Sequence, residues 1–161
     1  MSAAVSPSVE LQCADGVSAP SGAQPEQWVV ATLARVPGAQ PGDVVLRLVA
    51  NEESQALNHR YRGRDAPTNV LAFPAERLPG LPQETAGPLG DLVICVPLLL
   101  DEAAAQGKTP LAHLAHLVVH GTLHLLGFDH GNEADAEQME PLEGEIMQSL
   151  GFADPYLPVC G

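Results

Sequence analysis

The stretch that decides the fold is TPLAHLAHLVVHGTLHLLGFDH, residues 109–130. Thr109 is a good N-cap, and Pro110 suits the first position of a helix. The apolar residues that follow are almost continuous, which is typical of a helix buried inside a domain rather than lying on its surface. Gly127 can adopt the left-handed conformation that ends a helix. The sequence therefore predicts a buried helix that begins after Thr109 and ends before Gly127.

Histidines lie along one stripe of this predicted helix: His113, His116, His120 and His124. The last two are four residues apart, so both imidazoles can bind one metal ion at about 2.0–2.1 Å each. The turn at Gly127 would bring His130 to the same ion, which completes a spacing typical of the metzincin zinc enzymes. We predict one Zn²⁺ per chain, held by His120, His124 and His130. The two earlier histidines are interpreted as core residues or as groups that orient a ligand.

Gly121 departs from the zinc peptidase pattern. Those enzymes have a glutamate directly after the first histidine, where it serves as the general base. Glycine cannot accept a proton. The spacing thus predicts an open metal site that lacks the base of a peptidase.

The remaining sequence predicts one α+β (mixed α/β) domain over residues 1–161. Apolar or β-branched runs predict four strands, near residues 9–13, 44–50, 70–73 and 89–96. Helical periodicity and capping residues predict four further helices, near residues 25–35, 51–61, 97–106 and 132–150. We expect a sheet of about four strands packed with about five helices, with the histidine helix at the centre. Residues 77–88 are interpreted as a surface loop and residues 152–161 as a C-terminal tail. The acidic residues of the last helix are assigned mostly to its solvent face: Glu133, Asp135, Glu137, Glu140, Glu143 and Glu145.

A basic segment precedes the third predicted strand. Arg60, Arg62 and Arg64 fall within five positions, in a chain with only seven Lys and Arg residues. They are either the solvated end of a helix, where cations suit the dipole, or an anion clamp, because guanidinium groups match phosphate oxygens. The strand at 70–73 would line a groove if it lies at the sheet edge.

Composition limits the classes of function. The chain has 161 residues, a net charge of −13 and three cysteines, Cys13, Cys95 and Cys160. The cysteines are odd in number and far apart, which favours reduced thiols in a cytoplasmic protein. No apolar run is long enough to span a membrane, and the first residues lack a signal segment. The acidic charge by itself argues against a general nucleic-acid binder.

The segment HGTLHLLGFDH resembles the signature of the YbeY family of bacterial metallo-endoribonucleases. LNHRYRGRDAPTNVLAFP is similar to the family's second motif, LGDLVIC to its third and LGFADPY to its C-terminal motif. The resemblance thus covers nearly the whole chain, with the motifs in the family's order. Ala72 and Phe128 depart from it, because the family often has Ser and Tyr there. The three metal histidines match, and Arg62 matches the motif arginine that is associated with activity.

The resemblance implies a zinc-dependent, single-strand-specific endoribonuclease that matures the 3′ end of small-subunit (16S) rRNA and acts in ribosome quality control. It implies single-stranded RNA and the ribosome as partners, with a ribosomal protein or an assembly GTPase as further candidates. Arg62 is then the candidate catalytic residue. Gly121 either leaves room for RNA or another helix near the metal, or is a position where a side chain was lost.

Two other classes stay open on the sequence. One is a zinc hydrolase of a peptide or small amide, which the missing glutamate disfavours. The other is a ribosome-assembly factor whose metal is mainly structural. A structural zinc normally has four protein ligands, and only three are visible here.

Overall fold

Four strands form one mixed sheet in the computed structural model, which describes residues 8–39, 42–75, 88–128 and 133–155. The strands are β1 (Val9–Cys13), β2 (Asp43–Val49), β3 (Val70–Pro74) and β4 (Pro88–Cys95), and their order in the sheet is β1-β2-β4-β3. The first two strands and β4 are parallel, whereas β3 pairs with β4 in the antiparallel sense. This arrangement confirms the predicted four-strand sheet and leaves β3 at an edge.

Within the described ranges, five helices complete the α+β domain, as the sequence predicted: α1 (Pro25–Ala34), α2 (Asn51–Arg62), α3 (Val96–Gln106), α4 (Pro110–Leu125) and α5 (Glu133–Ser149). The histidine helix α4 begins at the predicted cap, where the Thr109 side chain accepts a hydrogen bond from the Ala112 N–H. Ten of its sixteen residues are buried. It packs on β3 and β4 and against α1, α3 and α5, so it is the centre of the core.

Gly121 lies where α4 meets the sheet. It is buried, and a Cβ atom built on it would come within 2.7 Å of Leu92 Cδ2 and 3.4 Å of Val70 Cγ2. Its small size therefore allows close packing of the helix on β4 and β3. The interpretation that Gly121 opens a path for RNA is wrong, because the position faces the sheet.

The placement of Glu143 on the solvent face of the last helix is also wrong, since this side chain is fully buried. Helix α5 continues through Pro141, and its neighbours Glu140 and Glu145 are exposed as expected. The predicted loop at 77–88 lies outside the described residues except for Pro88, which begins β4, and residues 156–161 of the predicted tail also lie outside. Among the described residues, no helix is long and apolar enough to cross a membrane.

Candidate metal and anion site

A cleft of about 460 Å³ runs along the exposed side of α4. Its walls come from the end of α2, from β3 and from the segment between α3 and α4. The side chains on it include all four histidines of α4, two cations and one carboxylate: His113, His116, His120, His124, Arg62, Lys108 and Glu102. Val70 and Ala72 of the edge strand also line it, which confirms that β3 borders a groove. The cleft therefore collects most of the residues that the sequence singled out.

The two predicted ligands on α4 meet at one end of this cleft. His120 Nε2 and His124 Nε2 lie 3.0 Å apart, and their rings are nearly perpendicular, with centroids 4.6 Å apart. One helical turn separates the two residues, so the convergence follows directly from their spacing.

Glu143 determines how His120 is oriented. Its carboxylate contacts Nδ1 of His120 and lies 3.7 Å from Nε2 of His116. When Nδ1–H of His120 donates a hydrogen bond to this carboxylate, Nε2 presents its lone pair to His124 and the cleft. The sequence did carry a signal for this residue, because Glu143 lies on the same helical stripe as the buried residues Met139, Ile146 and Met147.

A divalent metal fits this arrangement. Two nitrogens bound tetrahedrally at about 2.0–2.1 Å are separated by about 3.3 Å, so the observed 3.0 Å needs only a small opening. A buried carboxylate behind a ligating imidazole is the usual support of such sites. Within the four described ranges, no group of three His, Cys, Asp or Glu side chains is arranged to hold a metal. The predicted third ligand, His130, lies outside those ranges.

His113 has a separate environment further along the cleft. It is 3% exposed, and its Nε2 lies 2.8 Å from Glu102 Oε1. The Asn69 side-chain amide donates to the same carboxylate at 3.2 and 3.3 Å. Burial lowers the pKa of His113, against the opposing effect of the Glu102 hydrogen bond. The neutral ring thus donates to Glu102, as expected for a core histidine that has a partner.

Arg62 lies on the cleft, whereas its two neighbouring arginines are not among the lining residues. It is the last residue of α2, which Gly63 ends in the left-handed conformation at φ 72°. Arg62 is exposed and forms no ion pair with any residue that the structure describes. Arg60 instead lies over the Tyr61 ring, 5.5 Å from its centroid. The basic segment is therefore divided, and only Arg62 joins the histidines.

A larger depression of about 780 Å³ lies elsewhere, beside Val17, Pro97 and Leu100. Its described lining residues include no histidine and no cation. The smaller histidine cleft is consequently the candidate site, because it alone of the two combines metal-ligand and anion-binding chemistry.

The fold and the cleft together define a class of protein. It is an α+β domain in which a buried central helix presents paired imidazole nitrogens to a cleft that also contains cations. The sequence profile of the endoribonuclease YbeY family matches residues 21–151. The chain therefore belongs to the endoribonuclease YbeY family.

Individual relatives agree with this assignment. The chain is 50% identical to endoribonuclease YbeY of Halorhodospira halophila over 141 residues, which are 88% of this chain and 90% of that protein. It is 52% identical to endoribonuclease YbeY of Chromohalobacter salexigens over 137 residues, 85% of this chain and 87% of that protein. The solution structure of TM1509 from Thermotoga maritima is similar in fold, with a TM-score of 0.52 and 22% identity over 89% of this chain and 91% of that chain.

Proposed function

We propose that the protein is a zinc-dependent, single-strand-specific endoribonuclease that processes the 3′ end of small-subunit (16S) rRNA and acts in ribosome quality control. The observation that carries the proposal is the pair of Nε2 atoms of His120 and His124, 3.0 Å apart in the cleft that Arg62 also lines. Membership of a family of endoribonucleases supports the reaction type.

The residues that would hold Zn²⁺ are His120, His124 and His130. The bound ion would supply Lewis-acid polarisation of the phosphodiester and activation of water. Three neutral imidazoles leave the charge of the ion uncancelled, so the same ligands favour an anionic substrate. The Glu143 carboxylate at Nδ1 of His120 would favour the tautomer that ligation through Nε2 needs.

Arg62 would bind the scissile phosphate from the other side of the cleft. Its guanidinium donates in a planar fork that matches two phosphate oxygens, and it is not engaged by a described carboxylate. Charge on those oxygens changes as the phosphodiester reacts, so a fixed cation there lowers the barrier. Arg62 is accordingly the proposed catalytic residue.

Substrate delivery follows from the charge of the whole chain. With a net charge of −13, the protein has little general attraction for RNA. We expect the small ribosomal subunit, with a ribosomal protein or an assembly GTPase, to deliver the single strand in the cytoplasm.

A nuclease assay tests the proposal. The purified protein is incubated with one single-stranded RNA and its duplex, each with and without a chelator, and a peptide digest is run in parallel. We expect cleavage of the single strand alone, lost with chelator and restored by zinc. Peptide cleavage without RNA cleavage would indicate the alternative zinc hydrolase. Zinc retention with neither activity would indicate a structural metal.

A further inference from the structure

Lys108 is the only lysine of the chain and lies in the same cleft, at the end away from the metal ligands. It follows Gly107, which ends α3, and precedes Thr109, the N-cap of α4. Its backbone N–H donates to the Ala103 carbonyl at 2.9 Å. The position of this residue is therefore determined by two helix ends, and its half-buried side chain borders the cleft.

Three of the described cations outside the cleft have a partner within the chain. Arg47 is hydrogen-bonded to Glu53, Arg35 lies 3.7 Å from Glu145, and Arg60 lies over Tyr61. Lys108 has no ion pair or side-chain hydrogen bond with any described residue. A half-buried ammonium group without a partner is costly, and burial lowers the pKa of Lys108 accordingly.

The nearby carboxylate does not neutralise this lysine. Glu102 accepts from Asn69 through both oxygens and faces His113 Nε2 at 2.8 Å. No Glu102–Lys108 ion pair forms within 4.0 Å among the described residues. The carboxylate is thus occupied by two neutral donors, and Lys108 lines the cleft without an anionic partner among the described residues.

We propose that Lys108 binds a phosphate of the RNA strand that is not the scissile one, and so forms a second phosphate subsite. This inference rests on the proposed function and names how the same cleft holds its substrate. Pro110 and His120 are ten residues apart, or about 15 Å of helix rise, which places the subsite roughly two to four nucleotides from the metal ligands. The cleft thereby holds a short run of single strand between two cationic ends.

The test compares Lys108→Gln and Lys108→Arg with the parent in single-turnover cleavage. The substrates are a dinucleotide and a ten-nucleotide single strand, each measured at several salt concentrations. Arg35→Gln is the matched control, because it removes one positive charge from a residue that is not among the cleft lining. Thermal unfolding and zinc content are measured for every variant.

We expect Lys108→Gln to raise the half-saturating concentration of the longer strand by roughly tenfold, with an unchanged maximal rate. The slope of the logarithm of its RNA affinity against the logarithm of salt concentration should become shallower by about 0.7, the value for one phosphate contact on a single strand. The dinucleotide should be cleaved as by the parent, and both Lys108→Arg and Arg35→Gln should behave as the parent does.

Several results would overturn the subsite. Equal losses on both substrates would assign Lys108 to the chemistry or to stability, and a parental response of Lys108→Gln at both lengths would exclude the contact. Failure of Lys108→Arg in a folded protein would exclude a charge effect. If the parent cleaves RNA and only these comparisons fail, the subsite is excluded and the proposed function is retained. If the parent cleaves no RNA, the proposed function fails and the subsite with it.

Discussion

A carboxylate without exposed surface needs polar partners, and Glu143 lies beside the imidazoles of His120 and His116. It contacts Nδ1 of His120 and lies 3.7 Å from Nε2 of His116, between α4 and α5, and has no exposed surface. When Nδ1–H of His120 donates to this carboxylate, Nε2 is the nitrogen that faces a cation in the cleft. Glu143 is for this reason a positioning residue rather than a candidate general base.

Glu143→Gln should weaken zinc binding by about 10–100-fold, because the amide keeps the shape but not the charge. Zinc affinity is measured by competition with a chromophoric chelator, and thermal unfolding shows that the fold persists. Glu140→Gln, which changes an exposed carboxylate on the same helix, should leave the affinity unchanged. Parental zinc affinity in folded Glu143→Gln would remove the positioning role.

Arg62→Ala should lower the cleavage rate by a factor of roughly 10²–10³, while the variant keeps its zinc and its melting temperature. Arg62→Lys should recover only part of the rate, because an ammonium group lacks the planar fork. Arg60→Ala and Arg64→Ala should do less, since neither residue lines the cleft. The measurement is single-turnover cleavage of one RNA by all four variants. Equal losses at the three arginines would indicate a diffuse basic patch instead.

At the scale of elements, the contact between α4 and the sheet depends on Gly121. Leu92 of β4 and Val70 of β3 fill the space where its side chain would stand. Leu92 is fully buried, so it has little freedom to move away. The helix can carry its histidines to the edge of β3 because the adjoining face, which contains Gly121, lies this close to the strands.

Gly121→Ala should lower the free energy of unfolding by at most about 2 kcal/mol, because the steric cost is partly offset by about 1 kcal/mol of helix propensity. Gly121→Glu should lower it by more than about 4 kcal/mol, since it places a charge against Leu92 in the core. Urea unfolding of both variants measures the difference. A Glu variant as stable as the parent would mean that Gly121 faces the open cleft after all.

At the scale of the whole molecule, the few cations are distributed unevenly. The chain carries seven Lys and Arg against twenty Asp and Glu, yet Arg62 and Lys108 both line the histidine cleft. A local positive site on an acidic protein binds an anion that is brought to it and repels polyanions elsewhere. This distribution resolves the conflict between the acidic charge and an RNA substrate.

The sequence was sufficient to predict whatever depends on local chemistry. The ends of α4 follow from Thr109 and from the apolar run, and the meeting of His120 and His124 follows from their four-residue spacing. Contacts between residues far apart in the sequence were harder to predict. Tertiary packing determines the antiparallel pairing of β3, the presence of Lys108 in the cleft and the burial of Glu143. The prediction for Glu143 was wrong because it followed the usual preference of a carboxylate for water and not the position of the residue on an apolar stripe. His130 stays a prediction, since it lies outside the described residues.

The most direct test of the account is zinc content and RNA cleavage measured together in the parent, His124→Ala and His59→Ala. His59 is an exposed histidine on α2 that does not line the cleft, so its variant is the matched control. We expect one zinc per chain and zinc-restorable cleavage in the parent and in His59→Ala, and the loss of both in His124→Ala. Parental zinc content and cleavage in His124→Ala would contradict the account.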